Sequence, residues 1–264
     1  MPGKAHVHGA AVQDHAYISV GNVVGSNIFN LFLILGLCGA IWTVPTARAQ
    51  VYNDVPLLFG ASILLLVFLW WDSAQTLSKF QGAVFLALFA LYAAWVLWRK
   101  DSGAEPDQRV PAGTASWKDA TGLPLGIAAV VGGAYLLVVN GVALAQSAGV
   151  SEWVIGVTVV AAGTSIPELA TSVAAGRRGH LGLLIGNLIG SDIVNLLGVL
   201  GLAALLNPLE VGREALNGVG TMIFALAVLF VMMRTGWRLS RTEGWILVAL
   251  ALARWSFDFS QGAG

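Results

Sequence analysis

The sequence predicts an all-α integral membrane protein of about eight transmembrane helices, and three observations point to this fold class. Hydrophobic residues make up 57% of the chain and charged residues only 11%, whereas soluble domains carry about 25% charge. Apolar stretches long enough for a bilayer, which needs roughly 20 residues per helix, recur along the sequence. Two of these stretches are near-copies of each other, so we expect an internal repeat.

The apolar stretches define eight candidate spans. They lie near residues 16–42, 54–71, 80–98, 122–147, 153–176, 181–206, 214–233 and 242–259. The last is the weakest, because Arg254 and Asp258 lie in its second half. Tryptophan and tyrosine collect near span ends, as amphipathic rings do at the headgroup level. The polar segment 99–121 is predicted to be a cytoplasmic linker between a first repeat unit, residues 1–98, and a second, residues 122–259.

Lysine and arginine are divided unevenly between the loops on the two sides of these spans. One side collects ten of the 14, namely Arg48, Arg99, Lys100, Arg109, Lys118, Arg177, Arg178, Arg234, Arg238 and Arg241. By the positive-inside rule this side is cytoplasmic. We therefore expect an integral protein of a bacterial-type inner or plasma membrane, surrounded by the lipid bilayer. The chain has 14 basic and 14 acidic residues, which indicates no basic surface for nucleic acid.

The internal repeat is read directly from two segments. Residues 21–37 are GNVVGSNIFNLFLILGL and residues 186–202 are GNLIGSDIVNLLGVLGL, identical at ten of 17 positions with an offset of 165. The loop charges place the span 16–42 from outside to inside and the span 181–206 from inside to outside. The repeats are therefore inverted, as in many secondary transporters, whose substrate sites lie near the midplane where the repeats meet.

Polar residues form a stripe within each repeat. They are spaced by four, so that each set lies on one helical face: Asn22, Ser26 and Asn30 in the first stripe, and Asn187, Ser191 and Asn195 in the second. Amide and hydroxyl oxygens can replace part of the water around a hard cation. The alternative is that these side chains only join helices by hydrogen bonds. Two matching stripes in inverted repeats favour a cation site.

The segment 159–176, VVAAGTSIPELATSVAAG, is predicted to be a broken helix. Pro167 interrupts the helical hydrogen bonds, so the break should fall near residues 163–167, where an ion can satisfy the freed carbonyl groups. Glu168 lies one turn away, and an intramembrane carboxylate is a functional candidate. Thr164 and Ser165 occupy adjoining faces. The alternative for Glu168 is a protonated carboxyl group bonded to a neighbouring helix.

Asp192 is the second acid in the middle of a span, and its counterpart in the first repeat is Asn27. Direct contact with a cation and a hydrogen bond behind the ligands both remain open for Asp192. Asn27, Asn22 and Asn187 are expected to support the site from behind, by contacting the cation ligands and not the cation itself. No cofactor is expected, because a cation bound at these residues would be the transported ion.

Three motifs resemble the alpha-repeats of the Ca²⁺:cation antiporter superfamily, which includes the sodium/calcium exchangers. They are GTSIPELATS at 163–172, GNLIGSDIVN at 186–195 and GNVVGSNIFN at 21–30. The resemblance implies that Ca²⁺ or Na⁺ binds at the same residues, with the carbonyl group of Ala161 facing a Na⁺ position. The implied side-chain ligands are Thr164, Ser165, Glu168, Ser191, Asn195, Ser26 and Asn30. Family members often carry Asp at position 30 or 195. Asparagine at both leaves Na⁺, H⁺ and K⁺ open as the counter-ion.

The resemblance implies secondary active antiport of Ca²⁺ against a monovalent cation by alternating access, without enzymatic chemistry. One departure lies at the N-terminus, where Gly3 falls on the repeat position of Glu168. The family carries a second Glu there, so the resemblance predicts a ten-helix exchanger fold lacking its first one and a half helices. A gene-start error or a partner chain that supplies those helices would account for this. The alternative function is a transport-incompetent fragment or a structural membrane subunit.

Overall fold

A computed structural model describes residues 20–71, 75–101, 117–212 and 214–262. The predicted start of the first span, the register of Gly3 and linker residues 102–116 lie outside these ranges. The described helices are α1 Val20–Ile41, α2 Gln50–Trp71, α3 Lys79–Asp101, α4 Trp117–Ser147, α5 Glu152–Thr164, α6 Ile166–Arg177, α7 Leu181–Leu206, α8 Glu214–Arg234 and α9 Arg241–Gly262. Four two-residue strands accompany them: β1 Val44–Pro45, β2 Thr76–Leu77, β3 Leu209–Glu210 and β4 Arg238–Leu239.

Within the described residues, six helices are long and apolar enough to cross a membrane, and the bent pair α5–α6 makes a seventh candidate. The eighth predicted span is helical as α9 but is not among these candidates. Arg254 and Asp258 of α9 form an ion pair, with Nη2 and Oδ1 2.7 Å apart, and Arg254 also donates to Thr221 of α8. The charges that weaken this span are therefore satisfied by each other and by a neighbouring helix.

The two repeats run in opposite directions. Strand β1 pairs with β4, and β2 pairs with β3, both antiparallel. Helix α2 separates β1 from β2 and is about 33 Å long at 1.5 Å per residue, so the two sheets lie at opposite ends of the bundle. Because α1 ends at the β1 sheet and α7 ends at the β3 sheet, the equivalent helices are inverted. The predicted inversion is confirmed.

Helix packing follows the same inversion. The second half of α1 packs on α9, and the second half of α7 packs on α3. Glycines permit both contacts: a Cβ on Gly244 of α9 would strike the backbone of Ala40, and a Cβ on Gly82 of α3 would lie 2.6 Å from the backbone nitrogen of Leu205. Ala40 and Leu205 are repeat equivalents, 165 residues apart. The two interfaces are therefore copies of one another.

Each repeat helix also contains a π-helical segment at the same position. The segment is Phe29–Ile34 in α1 and Val194–Val199 in α7, again 165 residues apart. A π-helical turn takes an extra residue and often marks a functional site. Both segments include the last asparagine of a polar stripe, which places these turns beside the candidate site.

Candidate functional site

The break in the α5–α6 span falls where the sequence predicts it. Ser165 separates the helices with φ −93° and ψ 1°, and the two axes are bent by 42°. Pro167 and Glu168 lie in the first turn of α6, where the missing N–H of proline costs nothing. The carbonyl oxygen of Ala161 accepts from the Ser165 N–H at 3.1 Å and from the Thr164 hydroxyl at 3.2 Å. Ser165 and Ala161 are both buried.

The first polar stripe contacts this break through its first two residues. The hydroxyl groups of Ser26 and Thr164 lie 2.9 Å apart. The Thr164 hydroxyl also lies 2.8 Å from Oδ1 of Asn22, to which Ser26 donates at 3.2 Å. Three predicted residues from two helices thus form one hydrogen-bonded group.

The second stripe contacts α6 in the corresponding way. The hydroxyl of Ser191 donates to Oε1 of Glu168 at 2.8 Å, and the amide of Asn187 donates to the hydroxyl of Thr171 at 3.3 Å. The carboxyl group of Glu168 is therefore held against the second stripe. The first stripe therefore contacts the broken span before Ser165, and the second stripe contacts it after Ser165.

The last residue of each stripe contacts the other stripe helix, not the broken span: Asn30 of α1 contacts α7, and Asn195 of α7 contacts α1. Asn30 donates to Oδ1 of Asp192 at 2.8 Å, and Asn195 donates to Oδ1 of Asn27 at 3.4 Å. Asn27 in turn donates to the backbone carbonyl of Asp192 at 3.2 Å. Asn27, Asn30 and Asp192 are fully buried. The two repeats therefore meet through four polar side chains in the interior.

Several buried oxygen atoms of this site accept no hydrogen bond from the described residues. They are Oε2 of Glu168, Oδ2 of Asp192, Oδ1 of Asn30 and the hydroxyl oxygen of Ser172. A buried acceptor without a partner costs about 1–3 kcal/mol, and more when it is charged. Carboxylate, amide and hydroxyl oxygens are the ligands that hard cations prefer. The arrangement can thus bind a cation that supplies the missing partner.

The two carboxyl groups of the site are not paired with a basic side chain in the described part of the chain. Glu168 and Asp192 form no ion pair there, since the one ion pair joins Arg254 to Asp258. The described part of the chain contains no group of three or more His, Cys, Asp or Glu side chains that could hold a metal ion. Most of the available oxygens are therefore neutral.

Sequence reasoning missed two residues of α6. Thr171 accepts the amide of Asn187, and Ser172 is buried one turn beyond Glu168. The spacing of four that links Thr164, Glu168 and Ser172 is visible in the sequence and could have identified Ser172. Met222 of α8, whose sulfur lies 3.6 Å from the amide nitrogen of Asn27, has no such signal.

An inverted repeat, a discontinuous helix and polar residues where the repeats meet define the class of inverted-repeat membrane transporters. A family model described as sodium/calcium exchanger protein matches residues 9–98 and 119–253. The chain therefore belongs to the sodium/calcium exchanger family, a family of transport proteins.

Individual relatives are similar over most of the chain. CaxA from Alkalimonas amylolytica is 34% identical over 252 residues, covering 90% of this chain and 77% of CaxA. Sodium/calcium exchanger MaX1 from Methanosarcina acetivorans is 29% identical, covering 96% of this chain and 83% of MaX1. A structure of the sodium–calcium exchanger NCX_Mj soaked with Na⁺ and Sr²⁺ superposes with a TM-score of 0.70 at 27% identity, over 94% of this chain and 80% of NCX_Mj. The chain is accordingly an integral membrane protein.

Proposed function

We propose that this protein exchanges Ca²⁺ for a monovalent cation across the membrane. The observation that carries the proposal is the set of buried, unpartnered oxygens on Glu168, Asp192 and Asn30 within the described residues. They come from the discontinuous helix, from α7 and from α1, so an ion that contacts all three would touch both repeats. The relatives MaX1 and NCX_Mj are named sodium/calcium exchangers, which supports the same assignment.

Glu168 is the principal cation ligand in this proposal. Its Oε1 is held by Ser191, while Oε2 remains available to an ion. Ser191, Asn195, Ser26, Asn30, Thr164 and Ser165 would add neutral oxygens, together with the carbonyl oxygen of Ala161. Two carboxylates, Glu168 and Asp192, would balance the charge of one Ca²⁺ ion or of two monovalent ions. The same site could then carry either ion in turn.

Alternating access is the mechanism that the architecture favours. The repeats are inverted copies with equivalent packing at opposite ends of the bundle. A conformation in which one end is open therefore has a counterpart of similar contacts in which the other end is open. The ions would then cross by exposure of one site to each side, without a continuous pore.

The proposal is tested by ⁴⁵Ca²⁺ uptake into proteoliposomes under separately imposed Na⁺, K⁺ and pH gradients. We expect uptake driven by at least one gradient and abolished by Glu168→Gln. The gradient that drives uptake identifies the counter-ion. Ca²⁺ binding without gradient-driven flux would instead support a transport-incompetent membrane subunit.

A further inference from the structure

A groove lies on the surface of the bundle between α2 and α8. It has a volume of about 320 Å³ and is lined by Val55, Pro56, Phe59, Ala227, Phe230 and Val231. All six side chains are apolar, and Val231 is 63% exposed. Both helices are candidate spans, so the groove opens toward the hydrocarbon of the bilayer. An acyl chain is the molecule available to fill it.

A cluster of arginine and aromatic side chains covers the end of this groove at the β1–β4 sheet. We call it the cap, and it consists of Arg48, Tyr52, Arg234 and Trp237. Nη1 of Arg234 donates to the hydroxyl of Tyr52 at 2.6 Å, and the two rings of Tyr52 and Trp237 lie 5.7 Å apart. The guanidinium group of Arg48 lies 5.5 Å from the centre of the Trp237 ring.

The cap is joined directly to the groove. Arg234 follows Phe230 by one helical turn in α8, and Tyr52 precedes Pro56 by one turn at the start of α2. Buried Thr46 holds the cap in place, because its N–H donates to the Trp237 carbonyl and its hydroxyl to the Met233 carbonyl, both at 3.0 Å. The guanidinium groups are thus held at the level where the apolar lining ends.

Both arginines of the cap carry unbalanced charge. Arg48 and Arg234 are exposed, and neither forms an ion pair with an acidic side chain in the described ranges. The cap lies on the side that the loop charges assign to the cytoplasm, where anionic headgroups attract basic residues by about 1 kcal/mol each. Tyrosine and tryptophan are also enriched at this level of the bilayer.

The inverted repeat supplies an internal comparison. The six buried positions within Val55–Trp71 of α2 recur in α8, each 164 residues further along the chain. By this register the counterparts of Phe230, Val231 and Arg234 are Leu66, Val67 and Trp70. Those three residues, with Trp71, line a smaller groove of about 240 Å³ at the other end of the bundle. Because Trp70 stands at the position equivalent to Arg234, the fold does not require an arginine there.

We propose that the groove and the cap together bind one anionic phospholipid of the cytoplasmic leaflet. An acyl chain lies in the groove, and the guanidinium groups of Arg234 and Arg48 bind the phosphate. A zwitterionic lipid offers the same acyl chain but adds a positive headgroup beside the two arginines. The site therefore distinguishes lipids by headgroup charge, and this property is independent of ion transport.

The test is a lipid titration of the purified full chain in detergent, followed by native mass spectrometry. Phosphatidylglycerol is compared with phosphatidylcholine of the same acyl chains. We expect tighter binding of phosphatidylglycerol, weakened about fivefold by Arg234→Gln and again by Arg48→Gln. Arg241→Gln is the matched control, since Arg241 is an exposed arginine on the same side but outside the cap.

Three outcomes would overturn the proposal. They are equal binding of the two lipids, an equal loss in Arg241→Gln, and competition by glycerophosphate as effective as by the intact lipid. The last result would indicate a phosphate site without a lipid. Arg48 is exposed and its guanidinium group lies over the Trp237 ring, so Arg48→Gln tests the proposal even if Arg234→Gln does not fold.

Discussion

The amide group of Asn30 donates a hydrogen bond of 2.8 Å to Oδ1 of Asp192, across the boundary between the two repeats. Its repeat equivalent runs from Asn195 to Oδ1 of Asn27 and is 3.4 Å long. The two bonds occupy equivalent places, but one acceptor is a carboxylate and the other an amide. The two repeats are therefore nearly symmetric here, but only the second repeat has an acidic side chain at this position.

The asymmetry is tested by Asp192→Asn, which gives both repeats the same residue. The replacement amide still presents an oxygen to Asn30, so the protein should fold. Removal of one negative charge costs a divalent ion twice the Coulomb energy that it costs a monovalent ion at the same distance. We expect Ca²⁺ affinity to fall by a larger factor than Na⁺ affinity, as measured by ⁴⁵Ca²⁺ binding with Na⁺ competition. Equal losses for both ions would contradict a charge role for Asp192.

Replacement of Glu168 by Gln should abolish Ca²⁺ binding without unfolding the protein in detergent. The amide retains an acceptor for the Ser191 hydroxyl but removes the charge that a divalent ion requires. Calorimetric titration with Ca²⁺ measures the effect. Glu214→Gln is the matched control, because Glu214 is an exposed acid at the start of α8. Unchanged Ca²⁺ affinity in Glu168→Gln would remove Glu168 from the site.

Asn30→Ala and Asn195→Ala should each weaken Ca²⁺ binding, and their effects should not add. The partners of the two asparagines, Asp192 and Asn27, are themselves hydrogen-bonded, so the first substitution already disturbs the second contact. Residues in one network commonly show interaction energies of about 0.5–3 kcal/mol. Binding measured for both single variants and the double variant gives this energy. Small, additive effects on stability alone would favour hydrogen bonding without ion contact.

Gly244→Ala and Gly82→Ala should destabilise the fold by similar amounts, because each places a Cβ against the backbone of an equivalent helix. Overpacking typically costs about 1–3 kcal/mol, which thermal unfolding in detergent would detect. Gly60→Ala is the control, since a Cβ on Gly60 meets nothing within 4 Å among the described residues. If only one of the two variants were destabilised, the interfaces would not be equivalent.

Much of the fold and site can be predicted from the sequence because it depends on local signals. The repeat is detected as sequence identity between two segments. The break at Ser165 follows from Pro167, and the stripes follow from a spacing of four. These signals predict which faces of α1, α6 and α7 are polar. The structure brings those faces together, and the role of each side chain in binding a cation stays a prediction.

Other features depend on packing between distant segments and carry no local signal. The π-helical segments have no residue signature. The spacing of the stripes also does not indicate that Asn30 and Asn195 form hydrogen bonds between α1 and α7 and none with α5–α6. Asn22 and Asn187, which the sequence predicts to support the site from behind, hydrogen-bond to Thr164 and Thr171. The spacing of four does not identify these two partners.

The ion pair in α9 has a consequence for biogenesis. Arginine or aspartate at the centre of a helix adds about 2.5–3.5 kcal/mol to the cost of insertion by the translocon, and α9 contains one of each, four residues apart. Helices synthesised earlier provide partners for it: the Thr221 hydroxyl of α8 accepts a hydrogen bond from Arg254, and α1 packs against Gly244. Helix α9 should therefore enter the bilayer with the help of the nascent bundle, after α1 and α8 are in place.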